Sequence, residues 1–449
     1  QGQRSRPVVR HGPAVGDWDG DGRDDLFVTG WRDQRLYHNE GGTFLDVTER
    51  AGLSSNLWST SAAFADLDGD GDFDLYVATY VHYDADHPTY CAAPDGRRDY
   101  CGPEEYAAQP DRLYRNNGDG TFTDVSREAC IALPNGRGLG VLIAELTGDN
   151  LPDIFVANDG TPCWLFANRG GLRFEEVGQA SGVALDGNGN PLAGMGVALG
   201  DVDGDARADL IVTNFYDSST IAFQSLGGGR YQDASAAFGL AAPTRKCLGF
   251  GVTLTDFDAD GHLDLVQANG HVLDRARLGI PFAMKPIVLR NTGGRLADVS
   301  ATAGPWFSEA ILGRGLAVGD IDHDGRPDVV VNALDAPAAI LKNVAPVGHW
   351  LTLDLAARAP LRSAIGARVR ATIGGKVLLQ QVVGGGSYLS ALDRKVYLGL
   401  SDAKHVDRLE VTWPSGRIEE WRSFAADQVV SLEEGTGFTT RPASPGTDD

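Results

Sequence analysis

Basic residues are scarce in this chain relative to acidic ones. There are 39 Lys and Arg against 61 Asp and Glu, for a formal charge of −22. That balance, with no basic patch interleaved with aromatics, excludes nucleic acid as a partner and disfavours an anionic membrane surface. No apolar run reaches bilayer-spanning length, so no membrane span is expected. No signal-peptide pattern is present either, and a chain opening on Gln1 is expected to be a processed or trimmed form. Long amphipathic helical patterns are missing, which points away from helical architectures. The G-x-S-x-G elbow, the P-loop, a dinucleotide fingerprint after a strand and H-E-x-x-H are all absent, so the common nucleophile, nucleotide and zincin chemistries have no foothold. Residues 384–387, Gly-Gly-Gly-Ser, resemble a phosphate loop in composition only and read as a tight structural turn.

What the chain does have is glycine, 58 copies, and one acidic pattern repeated six times. The pattern is D-x-D-x-D-G-x-x-D followed by a short apolar run. Its acidic positions are Asp17, Asp19, Asp21 and Asp25; Asp66, Asp68, Asp70 and Asp74; Glu145, Asp149 and Asp153; Asp201, Asp203, Asp205 and Asp209; Asp256, Asp258, Asp260 and Asp264; and Asp320, Asp322, Asp324 and Asp328. One Asp-Gly cluster is an ordinary solvated turn. Six in one register are not, because turn chemistry does not demand carboxylates at positions 1, 3, 5 and 9. Such a set can wrap oxygens around a hard cation, Ca²⁺ above all, in up to six sites; Mg²⁺ or a transition metal is the lesser alternative. An EF-hand would need a bidentate Glu at position 12 and flanking helices. Here β-formers such as Leu26, Phe27 and Val28 follow position 9, so each loop joins two strands of a hairpin. The loop at Glu145 is the weakest match, with Thr147 at position 3 and Asn150 at position 6.

The loops start 49, 79, 56, 55 and 64 residues apart, a blade-sized period with insertions. Within a unit an L-Y-x-N-like strand (Leu36 to Asn39, Leu113 to Asn116) and a G-x-F-x-D-V-like strand (43–47, 121–125) follow the hairpin, making four strands per unit. Radial repetition of four-stranded units gives an all-β β-propeller. Six units carry the motif; with the residues before Asp17 or the start of the tail completing the ring, seven blades are favoured over six. Alternating stretches from His349 to about Glu434 predict a separate small β-sandwich. The expected organisation is a propeller over 1–345 with an insertion at 82–110, a β domain over 346–434 and a disordered tail over 435–449.

These repeats resemble the FG-GAP or VCBS repeats of integrin-like propellers, in which Ca²⁺ sits between the first two strands of a blade. The tail resembles the ASPIC and UnbV domain through His349-Trp350-Leu351, S-A-I-G-A-R-V from Ser363, G-G-G-S-Y-L-S from Gly384, Leu398-Gly399-Leu400 and V-T-W-P-S-G-R from Val411. The combination is similar to bacterial relatives of cartilage acidic protein and covers nearly the whole chain.

If the acidic loops share one rim, each second strand runs to the opposite rim about five residues later. Tyr80, Asn158, Asn214, Asn269 and Asn332 fall there and are candidate ligand-binding residues, although Asn at a strand end also caps backbone groups. Asp159, Tyr216, His271, His82 and His87 are the candidate acids, bases or metal ligands, the last two with Asp84 and Asp86 in a polar insertion whose spacing matches no strong metal motif. Arg137, Arg245 and Arg314 near that rim suit a glycan or an anionic group. Cys91 and Cys101 flank a short Pro/Gly/Arg loop and are expected to form a local disulfide rather than remain free thiols or metal ligands. The leading expectation is a secreted or extracytoplasmic, calcium-stabilised propeller that binds a glycan, protein or small hydrophobic molecule opposite its metals. The resemblance also implies a rival: a metal-dependent tailoring enzyme, for example a cyclase of bacterial natural-product biosynthesis, cytoplasmic and using the funnel as its active site.

Overall fold

The computed structural model describes residues 9–93, 96–358 and 363–439. In each of the six acidic repeats a hairpin closes at the same place. Gly16 pairs with Asp25, Ala65 with Asp74, Ala144 with Asp153, Gly200 with Asp209, Thr255 with Asp264 and Gly319 with Asp328. The residue before position 1 thus always faces position 9, which fixes an eight-residue loop between two β-branched, apolar strands. Five of these hairpins grow into antiparallel sheets with four repeat strands in radial order, for example Val9–Gly16, Asp25–Trp31, Arg35–Asn39 and Phe44–Asp46. The sixth stops at three strands, Gly313–Gly319, Asp328–Ala333 and Ala339–Leu341.

Successive first strands pack against one another in chain order and wall a central axis. Blades stacked face to face bury both sides of their inner strands, so Asp74–Thr79 and Asp153–Asn158 are buried at every residue. Among the described residues six sheets carry the motif, where the sequence favours seven blades. Val9–Gly16 supplies the first strand of the first sheet, and the chain after Leu341 continues into the next domain.

That domain is a sandwich of a three-stranded sheet, with His349–Ala356 central, and a five-stranded sheet built on Arg368–Ile373 and His405–Thr412. Leu351, Leu353, Val369, Leu398, Leu409 and Trp413 fill the space between them. It runs further than the expected boundary at 434: Phe438–Thr439 pairs with Glu419 and Glu420, and the Gly435 amide donates to Glu419. The rest of the expected tail lies outside the described residues.

The sandwich sits over the acidic-loop end of the propeller. Gly348 N–H donates to the Asp258 carbonyl (2.9 Å), Ser401 N–H to that of Ala259 (2.8 Å), and Asp320 N–H to the Tyr397 hydroxyl (2.9 Å). Between strands Lys376–Gln381 and Val396–Ser401, the connection 384–394 leaves the sandwich and threads the propeller axis. It touches the first strand of every blade. Gly384 and Gly385 pair with Ile143 and Leu142, and Gly384 also abuts the Phe64 carbonyl. Ser387 exchanges main-chain hydrogen bonds with Val197 (2.6 and 3.0 Å), while its Oγ accepts from Val252 N–H (3.3 Å). Leu389 lies against Gly12, Ser390 against Gly315, and Asp393 N–H donates to Val318. The glycine-rich turn read from the sequence is structural, and its role is that of an axle.

No helix among the described residues is long and apolar enough to cross a membrane.

Candidate functional site

The acidic loops owe their shape to two left-handed residues each, at positions 4 and 6. In the first loop these are Gly20 (φ 73°) and Gly22 (φ 89°); in the fourth, Gly204 (77°) and Ala206 (63°). This curls successive N–H groups inward onto the position-1 carboxylate. Asp201 accepts from Gly204 (2.8 Å), Asp205 (3.1 Å) and Ala206 (2.8 Å), and Asp17, Asp66, Asp256 and Asp320 are cradled in the same way. The position-9 carboxylate is a staple. One oxygen accepts from the position-2 amide and the other from the third strand, as Asp74 does from Leu67 (3.2 Å) and Asn116 (3.0 Å) and Asp264 from Phe257 (3.2 Å) and Asn291 (2.8 Å).

Carboxylate oxygens therefore converge. Asp17, Asp19 and Asp21, Asp66, Asp68 and Asp70, and Asp201, Asp203 and Asp209 each place oxygens within 4.8 Å of one another. Burial, with repulsion between neighbours, pushes Asp66 and Asp201 up to about 6 and Asp74, Asp209 and Asp256 up to about 8. Hard oxygens crowded until they resist ionisation are a donor set that a divalent cation stabilises. His38 joins Asp19 and Asp25 at 3.0 and 3.3 Å, a neighbour that the sequence reading missed; its place in the L-Y-x-N strand, one residue before Asn39, is the signal.

The third loop departs from this pattern. Arg368 of the sandwich reaches into it, its guanidinium 2.9 Å from Glu145 Oε2 and bonded to Asn150 Oδ1. Gln381 bonds the Glu145 main chain through both its amide oxygen and nitrogen (3.2 Å each). A guanidinium thus shares Glu145 and Asn150 with any cation there, although Glu145, Asp149 and Asp153 still lie within 4.8 Å of one another.

The far mouth is aromatic. Trp58 donates from Nε1 to His11 Nε2 (2.9 Å) and packs against Tyr80 and Tyr83, with centroids at 5.4 and 6.1 Å; Tyr83 meets Tyr106 at 5.8 Å. These rings and Tyr100 line a cleft of about 660 Å³, walled by Pro88, Arg98, Cys101 and Pro103 of the insertion. The Cys91–Cys101 disulfide closes the tip of that insertion, as expected (Cα separation 5.2 Å). An Arg275–Asp99 ion pair (2.6 Å) ties it to the second long insertion. Tyr80 donates to Asp159 (2.6 Å), whose pKa is raised by burial.

Residues 17–77, 94–156, 145–212 and 201–267 match the FG-GAP-like repeat family, together more than half of the chain. The chain belongs to the FG-GAP-like repeat family. An FG-GAP repeat also matches 312–339, and 357–438 match the ASPIC and UnbV family, in agreement with the sandwich. This FG-GAP chain is 26% identical to Cartilage acidic protein 1 of Mus musculus over 96% of its own length, and 26% identical to that of Homo sapiens over the same share. It spans 66% and 65% of those relatives. Among solved structures, it resembles an Agrocybe aegerita lectin that recognises non-reducing terminal N-acetylglucosamine (16% identity, TM-score 0.43, covering 75% of this chain and 81% of that one). It also resembles the SapL1 lectin in complex with α-methyl fucoside (10% identity, TM-score 0.38, 76% and 97%). Likeness at that level does not bear on what this chain binds.

Within the FG-GAP propeller, the polar residues read from the sequence as the ligand rim divide in two. Asn158, Asn214 and Asn269 are buried and committed to backbone. Asn158 accepts from Arg137 N–H and donates to Pro162, Asn214 accepts from Ala193, and Asn269 donates to Lys285. They brace the turns, and the capping alternative holds for them. Tyr80 remains in the cleft wall and Asn332 is exposed. His271 is buried between Phe215 and Tyr216 and accepts Leu273 N–H at Nδ1 (3.0 Å), and burial lowers its pKa. His82 and His87 are exposed, with His87 Nδ1 at 2.9 Å from Asp84.

Proposed function

We propose that this protein is a calcium-stabilised propeller that binds a sugar-bearing ligand in the aromatic cleft opposite its metal loops. The observation that carries the reading is the cleft itself: about 660 Å³ lined by Trp58, Tyr80, Tyr83, Tyr100 and Tyr106. Aromatic faces pack on the C–H faces of sugar rings, and rigid rings contribute contact area at little cost in side-chain entropy. The sandwich covers the metal face, so recognition falls to the other one. Five loops hold Ca²⁺ as structural ions, and in the third Arg368 takes the cation's place. The disulfide and the calcium requirement together favour an extracytoplasmic setting. The rival tailoring-enzyme reading rests on the Tyr80–Asp159 pair, a protonatable carboxyl 2.6 Å from a phenol that lines the cleft.

An oligosaccharide array read in calcium tests the proposal. Tyr100 is 81% exposed, so Tyr100→Ala should leave folding unchanged, within about ±0.5 kcal/mol. On the glycans that bind, Tyr100→Ala should weaken binding several-fold and Trp58→Ala by about thirtyfold, the size of an aromatic hot spot. An array with no binder, or affinities indifferent to both changes, contradicts the reading. Chemical turnover of a bound compound would favour the enzyme.

A further inference from the structure

The floor of the far mouth is supplied by the C-terminal domain. At the tip of the axial hairpin Tyr388 packs edge-on against Phe250, centroids 4.8 Å apart, within an apolar cluster that includes Leu139, Met195 and Met284. Among the described residues, no hydrogen bond engages its hydroxyl. Phe250 also carries the guanidinium of Arg314, 4.1 Å from its centroid.

Arg314 is half-buried and donates only to main-chain carbonyls, those of Gly313 (2.7 Å), Gly270 (3.3 Å) and His271 (3.4 Å). No carboxylate among the described residues forms an ion pair with it, and burial lowers its pKa, as for a cation short of a counter-charge. A second arginine repeats the situation. Arg137 Nη2 donates to the Tyr106 carbonyl (3.4 Å) beside the cleft, its Nε is buried and unpartnered, and no carboxylate lies within ion-pairing distance among the described residues.

In a chain of charge −22, Arg314 and Arg137 share one mouth with no carboxylate within ion-pairing distance among the described residues, the carboxylate charge acting on Arg137 at longer range being that of Asp159. Elsewhere arginines pair readily, as Arg408 does with Glu410 and Glu420. Withholding a counter-ion from a partly buried cation costs stability, and the arrangement fits a site that receives its anion from a ligand. A guanidinium fork matches a carboxylate in two parallel hydrogen bonds, and a free phenol beside it can donate a third.

We infer that the ligand of this face is a uronic-acid-bearing oligosaccharide, its carboxylate held by Arg314 and the Tyr388 hydroxyl and its rings lying toward Arg137 and the aromatic cleft. This rests on the sugar-binding reading of the cleft and adds the acid group, together with a requirement for the C-terminal domain. The site is thus bipartite: the propeller provides the walls and the sandwich the floor.

Calorimetric titration of the full chain in calcium with three probes tests it: trigalacturonate, its carboxyl-reduced galactose counterpart, and a sulfated galactotriose. The acid should bind at least about tenfold more tightly than the reduced sugar, the order expected for one charge-assisted contact. Arg314→Gln should erase that preference while leaving neutral-sugar binding in place, and Tyr388→Phe, which keeps the ring packing, should weaken only the acid. Equal binding of acid and reduced sugar overturns the inference, as does an acid preference that survives both substitutions. Tighter binding of the sulfated probe overturns the assignment to a carboxylate. If none of the three probes binds while other glycans do, this inference falls and the sugar-binding reading stands; if no glycan binds, both fall.

Discussion

Chelation of calcium at pH 8 should lower the melting temperature of this protein by about 10 °C or more, and the same chelation at pH 5 should lower it far less. The size follows from linkage: a site at a hundredfold excess of calcium over Kd stabilises the fold by about 2.7 kcal/mol, and five loops are expected to fill. The pH dependence follows from the loop carboxylates. Burial raises Asp74, Asp209 and Asp256 to about 8, Asp153 and Asp264 to about 7 and Asp66 and Asp201 to about 6, all from an ordinary 3.8. With folded pKa values above the unfolded one, the metal-free fold binds more protons than the unfolded chain across roughly pH 4 to 8. Its stability therefore falls as pH rises through that window. Calcium displaces those protons and compensates the clustered charge, so the loaded protein escapes the loss. Melting curves in calcium and in EDTA at pH 5, 6.5 and 8 check this. A gap that stays constant across the three, or narrows, contradicts it.

The second large effect concerns the axle. Gly385 has φ 75°, and a Cβ there would stand 2.5 Å from the Val141 carbonyl oxygen and 3.2 Å from Ala63 Cβ. Gly385→Ala combines a left-handed L-residue, costing about 1–2 kcal/mol, with overpacking against an inner strand, costing about 1–3 kcal/mol. The change lies in the C-terminal domain, yet the propeller should lose stability, because the segment it distorts contacts all six first strands. Gly416 is the control, with φ 79° and nothing within 4 Å of its Cβ position; Gly416→Ala should cost only the backbone part. Denaturant unfolding followed by intrinsic fluorescence, to which the propeller contributes Trp18, Trp31, Trp58, Trp164 and Trp306, distinguishes the two. If both substitutions cost the same, the hairpin is not load-sharing with the blades.

The repeat was legible because it is local. Carboxylates at fixed positions, the left-handed residues between them and the apolar run after position 9 all fall within twelve residues, and the hairpin register in all six units follows from them. The ASPIC and UnbV-like tail was legible through its motifs, and the Cys91–Cys101 pair through its short separation. What the sequence hid lies in contacts between distant segments. Spacing put Asn158, Asn214 and Asn269 at the correct rim, but it could not show that their amides turn back onto Arg137, Ala193 and Lys285. The axle brings residues 384–394 against strands as far away as Gly12, and nothing near Gly384 signals a channel. In the insertion at 82–110, attention to histidines and aspartates left Tyr83, Tyr100 and Tyr106 unmarked, and these with Trp58 and the candidate Tyr80 build the cleft. Arg368 could not be matched to Glu145 at a separation of 223 residues, though Thr147 and Asn150 already marked that loop as different.

The metal loops and the aromatic cleft are expected to divide structural and recognition roles between the two faces of the propeller. Long-wavelength anomalous diffraction from crystals grown in calcium tests this division directly. Calcium peaks should appear in the loops opening at Asp17, Asp66, Asp201, Asp256 and Asp320, with none in the loop shared by Glu145 and Arg368 and none at the mouth around Tyr388. Empty loops at millimolar calcium, or a metal seated beside Asp159 and Tyr80, would contradict the account.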